Sequence, residues 1–124
     1  MILIGDKNIP FEEISFIDSQ IQINNTKPNS TITFDFNLTL MKYSLSNDIA
    51  YGVVINSIKE AIYANALEAR YIICEKDLAS KLQEIATNYL FDSKILAIIE
   101  KDNEIEELAL KNIDGAFYKD LLIN

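Results

Sequence analysis

The sequence predicts an α/β fold: a three-layer αβα sandwich around a mostly parallel sheet of five or six strands, doubly wound. Two observations carry this. Apolar, β-branched runs recur along the C-terminal two thirds, and several lack the polar alternation of a half-exposed strand, as in Tyr71-Ile72-Ile73-Cys74 and Ile95-Leu96-Ala97-Ile98-Ile99. Between the runs lie segments with apolar residues at helical spacing. Strand alternating with helix means βαβ units, whose right-handed crossovers lay helices on the sheet. The 124 residues are expected to form a single domain, 1–124, large enough to close a core.

The N-terminal segment is irregular but contains β structure. Ile2-Leu3-Ile4 is a short strand candidate, followed by the turn-rich Gly5-Asp6-Lys7-Asn8. Ile14-Ser15-Phe16-Ile17 reads as a second strand, antiparallel to the first or beside it. Gln20 to Ser30 is polar, holds Pro28 and reads as a surface connection. The regular alternation then begins. Strands are expected at Ile32–Phe36, Tyr51–Ile55, Tyr71–Cys74, Ile95–Ile99 and Ala116–Tyr118. The first helix covers about Leu38 to Asn47, with Leu38, Met41 and Leu45 on one stripe. The second covers Ser57 to Glu68, with Ser57 as N-cap. The third, Asp77 to Phe91, has a stripe of Leu78, Leu82, Ile85, Ala86, Tyr89 and Leu90. In the fourth, Asn103 to Asn112, Ile105, Leu108 and Ala109 face inward, and Glu107 pairs with Lys111 at i,i+4.

Two stretches are similar in cadence to known families. Ile58 to Leu108 resembles small RNA-binding ribosomal-protein domains in its helix, its strand Tyr71-Ile72-Ile73, and Asp77 before the next helix. The glycine-rich entry and basic face of those domains are absent here. Leu108 to Phe117 is similar to the late βα junctions of phosphate-binding β/α barrels, but five parallel strands do not close an eight-stranded barrel. Neither likeness transfers a residue. A second junction, Leu67 to Ile72, echoes Ile113 to Tyr118, as two crossovers solving one geometric problem would.

Composition excludes several functions. The net charge is −8, the ten lysines are scattered and Arg70 is the single arginine, so neither binding of nucleic acid, which needs its phosphates neutralised, nor docking on an anionic membrane is expected. The absence of histidine removes Ser–His and Cys–His catalysis and the usual zinc sites. Glycine stands only at 5, 52 and 115, so no dinucleotide or phosphate loop and no nucleophile elbow can be built. Cys74 has no intramolecular disulfide partner; its place ahead of a helix N-terminus raises the question of a reactive thiol, but a free cysteine ending a buried strand is more often a small core residue. No signal peptide or membrane span is read, which gives a cytoplasmic expectation. The 21 isoleucines and the lysine excess over arginine reflect AT-rich codons, as in a low-GC bacterial genome.

Ligands of open α/β sheets gather at the carboxyl ends of the strands. The residues there that could hold one are Asp35, Asn56, Glu75 and Glu100. Asp35 stands out because it interrupts an aromatic strand, Phe34-Asp35-Phe36. Carboxylates in such a patch suit Mg²⁺, but helix capping and rim solvation explain the same residues, so no metal or cofactor is expected. The functional expectation is a non-catalytic interaction or regulatory module that forms a homodimer or meets another protein. The second helix, apolar on more than one stripe, is the reason. The alternative is a small-molecule or divalent-metal enzyme using Asp35, Glu75 and Glu100.

Overall fold

The computed structural model describes residues 1–26 and 29–123. Seven strands, β1 (Ile2–Ile4), β2 (Ile14–Phe16), β3 (Thr31–Asp35), β4 (Tyr51–Val54), β5 (Tyr71–Cys74), β6 (Lys94–Ile99) and β7 (Gly115–Tyr118), form one sheet. Four α-helices accompany them: α1 (Leu38–Ser46), α2 (Ile58–Ala66), α3 (Lys76–Asn88) and α4 (Ile105–Leu110). Every strand pairing is parallel, in the order β1-β7-β6-β5-β4-β3-β2. The chain is therefore an α/β protein on a parallel sheet.

The sheet has seven strands rather than five or six because both short N-terminal segments join it. They do not lie beside each other. β1 pairs with β7 and β2 with β3, at opposite edges. Gly115 makes the first pairing possible: a Cβ there would stand 2.2 Å from the Ile2 carbonyl oxygen. The connection between β2 and β3 carries a 3-10 helix, Gln20–Asn25; Lys27 and Pro28 lie outside the described residues.

From β2 to β7 each strand lies next to its predecessor, so successive right-handed crossovers bring the helices to one face. Leu40 and Met41 of α1, Ala61 and Ala64 of α2, Ala79, Leu82 and Ala86 of α3 and Leu108 of α4 join one buried cluster with Phe34, Val53, Ile72 and Ala97. Phe34 and Tyr51 stack within it at 5.4 Å. A second cluster, Ile4, Tyr71, Ile73, Leu96, Ile98 and Phe117, fills the other face. There the place of a second helical layer is taken by the curl of the sheet itself. β2 touches the 3-10 turn Lys119–Leu121 that follows β7, and Ile14, Leu121 and Leu122 close over the cluster. Among the described residues no helix is long and apolar enough to cross a membrane.

All four helices end alike. Asp48, Glu68, Leu90 and Asn112 adopt left-handed backbone, with φ between 54° and 62°. The next residue's N–H then returns to a carbonyl in the last turn: Ile49 to Ser44, Ala69 to Ala64, Phe91 to Ala86, Ile113 to Leu108. This is the Schellman closure, built four times without glycine.

Candidate functional site

The carboxyl ends of the strands keep the four expected site residues apart. Asp35 is the exposed last residue of β3. Asn56 is exposed after β4, and its backbone N–H donates to Glu60 Oε1 at 2.8 Å while Ser57 Oγ accepts from Glu60 N at 3.2 Å. Ser57 thus caps α2 as expected, while Glu60 reaches back to the residue before the cap. Glu75 is exposed at the cap position of α3, and Asp77 lies in the helix's first turn. Glu100 is exposed after β6 and pairs with Lys119 at 3.4 Å. Only Glu75 and Glu100 share a cleft, of about 350 Å³, with Lys76 and Glu104. Among the described residues no three acidic or cysteine side chains converge as a metal site would require.

Glu104 organises that cleft. Its Oε1 meets Lys76 Nζ at 2.8 Å, and its Oε2 accepts from the backbone N–H groups of Glu100 and Lys101, both at 2.9 Å. The lysine first, then the two amides, hold its carboxyl at about 2. Lys76 also reaches Glu107, which in turn pairs with Lys111. Ala109, expected inward on α4, is exposed, because this helix is short and buries only Leu108.

Cys74 is fully buried among the apolar side chains between sheet and helices. Burial first, then the charge of Glu75, pushes its thiol up to about 12. A buried thiol held this high stays protonated at neutral pH, as a core cysteine rather than a reactive one does.

Two polar constellations escaped the sequence reading. The first is a cleft of about 440 Å³ at the carboxyl ends of β1, β6 and β7. Asp6, 5% exposed, sits in its wall, where Oδ1 accepts from Asn8 N and Oδ2 from the Tyr118 hydroxyl, both at 2.8 Å. These donors, the amide first, hold the Asp6 carboxyl below its ordinary range. Burial and the same bond push Tyr118 up to about 12. Gly5, at φ 101°, carries the chain over Tyr118, since a Cβ there would lie 2.8 Å from the tyrosine's own.

The second constellation lies at the other end of the sheet. Glu12 accepts from Arg70 Nη1 at 2.7 Å and from the hydroxyls of Thr31 and Tyr71. Burial raises its carboxyl, but the three donors outweigh it and the group lies below its usual value. The network ties the β1–β2 connection to β3 and β5, so it closes the amino end of the curled sheet. Arg70 and Tyr71 lie 58 and 59 residues from Glu12 along the chain, beyond the reach of any motif.

The outward faces of the helices differ. On α3 the exposed positions include Lys81, Glu84 and Asn88. On α2 they are Lys59, Ile62, Tyr63 and Ala66, at i, i+3, i+4 and i+7, with Ile62 48% and Tyr63 41% exposed. Lys59 Nζ stands 5.7 Å from the centre of the Tyr63 ring. No model of a known protein family matches this chain, and no curated protein matches its sequence.

Proposed function

We propose that this acidic chain is a cytoplasmic, bacterial interaction module without catalysis of its own, which self-associates through the outer face of α2. The observation that carries the reading is the stripe Ile62, Tyr63 and Ala66, apolar and open to water on a helix whose other side is already packed on the sheet. An exposed stripe at helical spacing is the surface that a second helix covers. A single buried, protonated cysteine fits a reducing compartment.

A second copy is the occupant that the charges favour. In an antiparallel, twofold pairing of α2 with its symmetry mate, Lys59 at the start of the stripe faces Glu68 just beyond its end, and the contact repeats on both sides of the axis. A single helix pair buries little surface, so the dimer belongs to the weak, concentration-dependent class. Sedimentation velocity over a dilution series tests this. The expected mass rises toward twice the 14.1 kDa of one chain. Ile62→Glu should hold the protein at the monomer mass. Lys59→Glu should weaken association, and adding Glu68→Lys should restore it. A wild-type mass of 14.1 kDa at every concentration overturns the reading.

A further inference from the structure

From Lys7 to Ser30 the described residues bury a single side chain, Ile17 at 3% exposed, whereas β3 to β6 are buried almost throughout. The stretch includes β2, whose ladder to β3 is only three residues long. Ile17 N donates to the Thr33 carbonyl at 2.8 Å across it, and Thr31 N to the Glu13 carbonyl at 2.9 Å. The connection ahead of β2 is held differently. Lys7 to Phe11 are all exposed, and the next residue, Glu12, is fixed by Arg70, Thr31 and Tyr71. Tyr71 belongs to the inner cluster, so Glu12 fastens the segment to β5, three strands in from β2. After β2, the 3-10 helix leaves a cleft of about 550 Å³, lined by Ile23 and Thr26 together with Ile32, Ile49 and Arg70.

Apolar burial is what ties a segment to the rest of a fold. A stretch with one buried side chain and a three-residue ladder opens at a lower free energy than a core strand does. We propose that residues 7–26 form a lid, latched by Glu12, that opens as a unit while β1 and β3 to β7 stay folded. Opening lifts Ile14 from the inner cluster and bares the β3 edge and the Tyr71 hydroxyl. Hydrogen bonds to a charged group are the strong ones, and Glu12 accepts from three donors, which makes it the latch. The lid does not involve the α2 surface, and neither proposal depends on the other.

Amide hydrogen exchange, followed by NMR on the full chain in low concentrations of urea, tests this. The probes are Ile17 and Thr31, bonded between the lid and β3, and Ile55, whose N–H donates to the Ile73 carbonyl at 2.9 Å in the body of the sheet. In the wild type Ile17 and Thr31 should exchange faster than Ile55 and with little dependence on urea. Glu12→Gln should speed both lid amides by about tenfold. Ile72→Val, in the core beneath the helices, should speed Ile55 by about fivefold and leave Ile17 and Thr31 unchanged, because Ile72 remains packed when the lid opens. Equal acceleration of all three amides by Ile72→Val overturns the proposal, since the segment then exchanges only when the whole chain unfolds. Lid amides that do not respond to Glu12→Gln overturn it as well. Should that variant not fold, Thr31→Val withdraws one of the three donors and reads the same latch.

Discussion

Ser44 sits on the buried face of α1 with its hydroxyl oxygen unpartnered among the described residues. A buried hydroxyl without a hydrogen bond costs free energy, and alanine is the better helix former. Ser44→Ala should therefore stabilise the protein by about 1 kcal/mol. Urea denaturation measures it, and a lower midpoint would mean that the hydroxyl makes a contact worth more than its burial costs. Asp6 and Glu12 are the opposite case, polar groups that are well served by donors. Neither was legible in the sequence, because Tyr118 and Tyr71 lie 112 and 59 residues from them. What the sequence does encode locally is the strand-end position of Asp35 and the cap at Ser57. Whether strand-end carboxylates meet depends on the curvature of the sheet, which no local pattern records.

At the scale of the element, legibility follows length. The helices were readable because their stripes run over two or more turns, as in Leu78, Leu82 and Ala86 of α3. β1 and β2, three residues each, are too short for periodicity to fix their partners. The helix ends were hidden for another reason. Glycine is the usual signal of a left-handed closure, and here Asp48, Glu68, Leu90 and Asn112 stand in its place. Leu90 is the least suited, being non-polar, 83% exposed and at φ 56°. Leu90→Gly should raise stability by about 1 kcal/mol, since little packing is lost and the left-handed conformation costs a side-chain-bearing residue that much. A thermal melt that falls on this substitution would show that Leu90 packs in a way its exposure does not suggest.

For the whole molecule, acid is the condition that tests its electrostatics. Asp6, Glu12 and Glu104 all have carboxyls held below their ordinary values, Glu104 at about 2. A lowered folded-state value means that the unfolded chain binds protons first as pH falls. The stability these groups contribute is therefore present above their ordinary values, 3.8 for the aspartate and 4.5 for the glutamates, and is lost as pH drops toward the folded values. The melting temperature should stay level down to about pH 5 and fall below it. In Glu12→Gln the neutral melting temperature should drop and the acid decline should be shallower. A decline of unchanged steepness would remove Glu12 from the account. The parallel class of the sheet was legible from its unbroken apolar runs. The curl was not, because it follows from the strand order, and that order rests on the two segments with the weakest signals.

That order also sets a timetable for assembly. From β2 to β7 every strand finds its neighbour one crossover away, so this part of the sheet can grow by short steps as the chain emerges. β1 cannot take part. Its pairing partner in the sheet is β7, with Ile2 opposite Gly115, a loop of 113 residues (115 − 2). β7 is in place only once β2 to β7 have formed, which puts the docking of β1 last, with just the short connection from Gly5 to Glu13 left to order. The Asp6–Tyr118 bond forms across the same closure, so the cleft at the carboxyl ends comes into being only when the first strand meets the last.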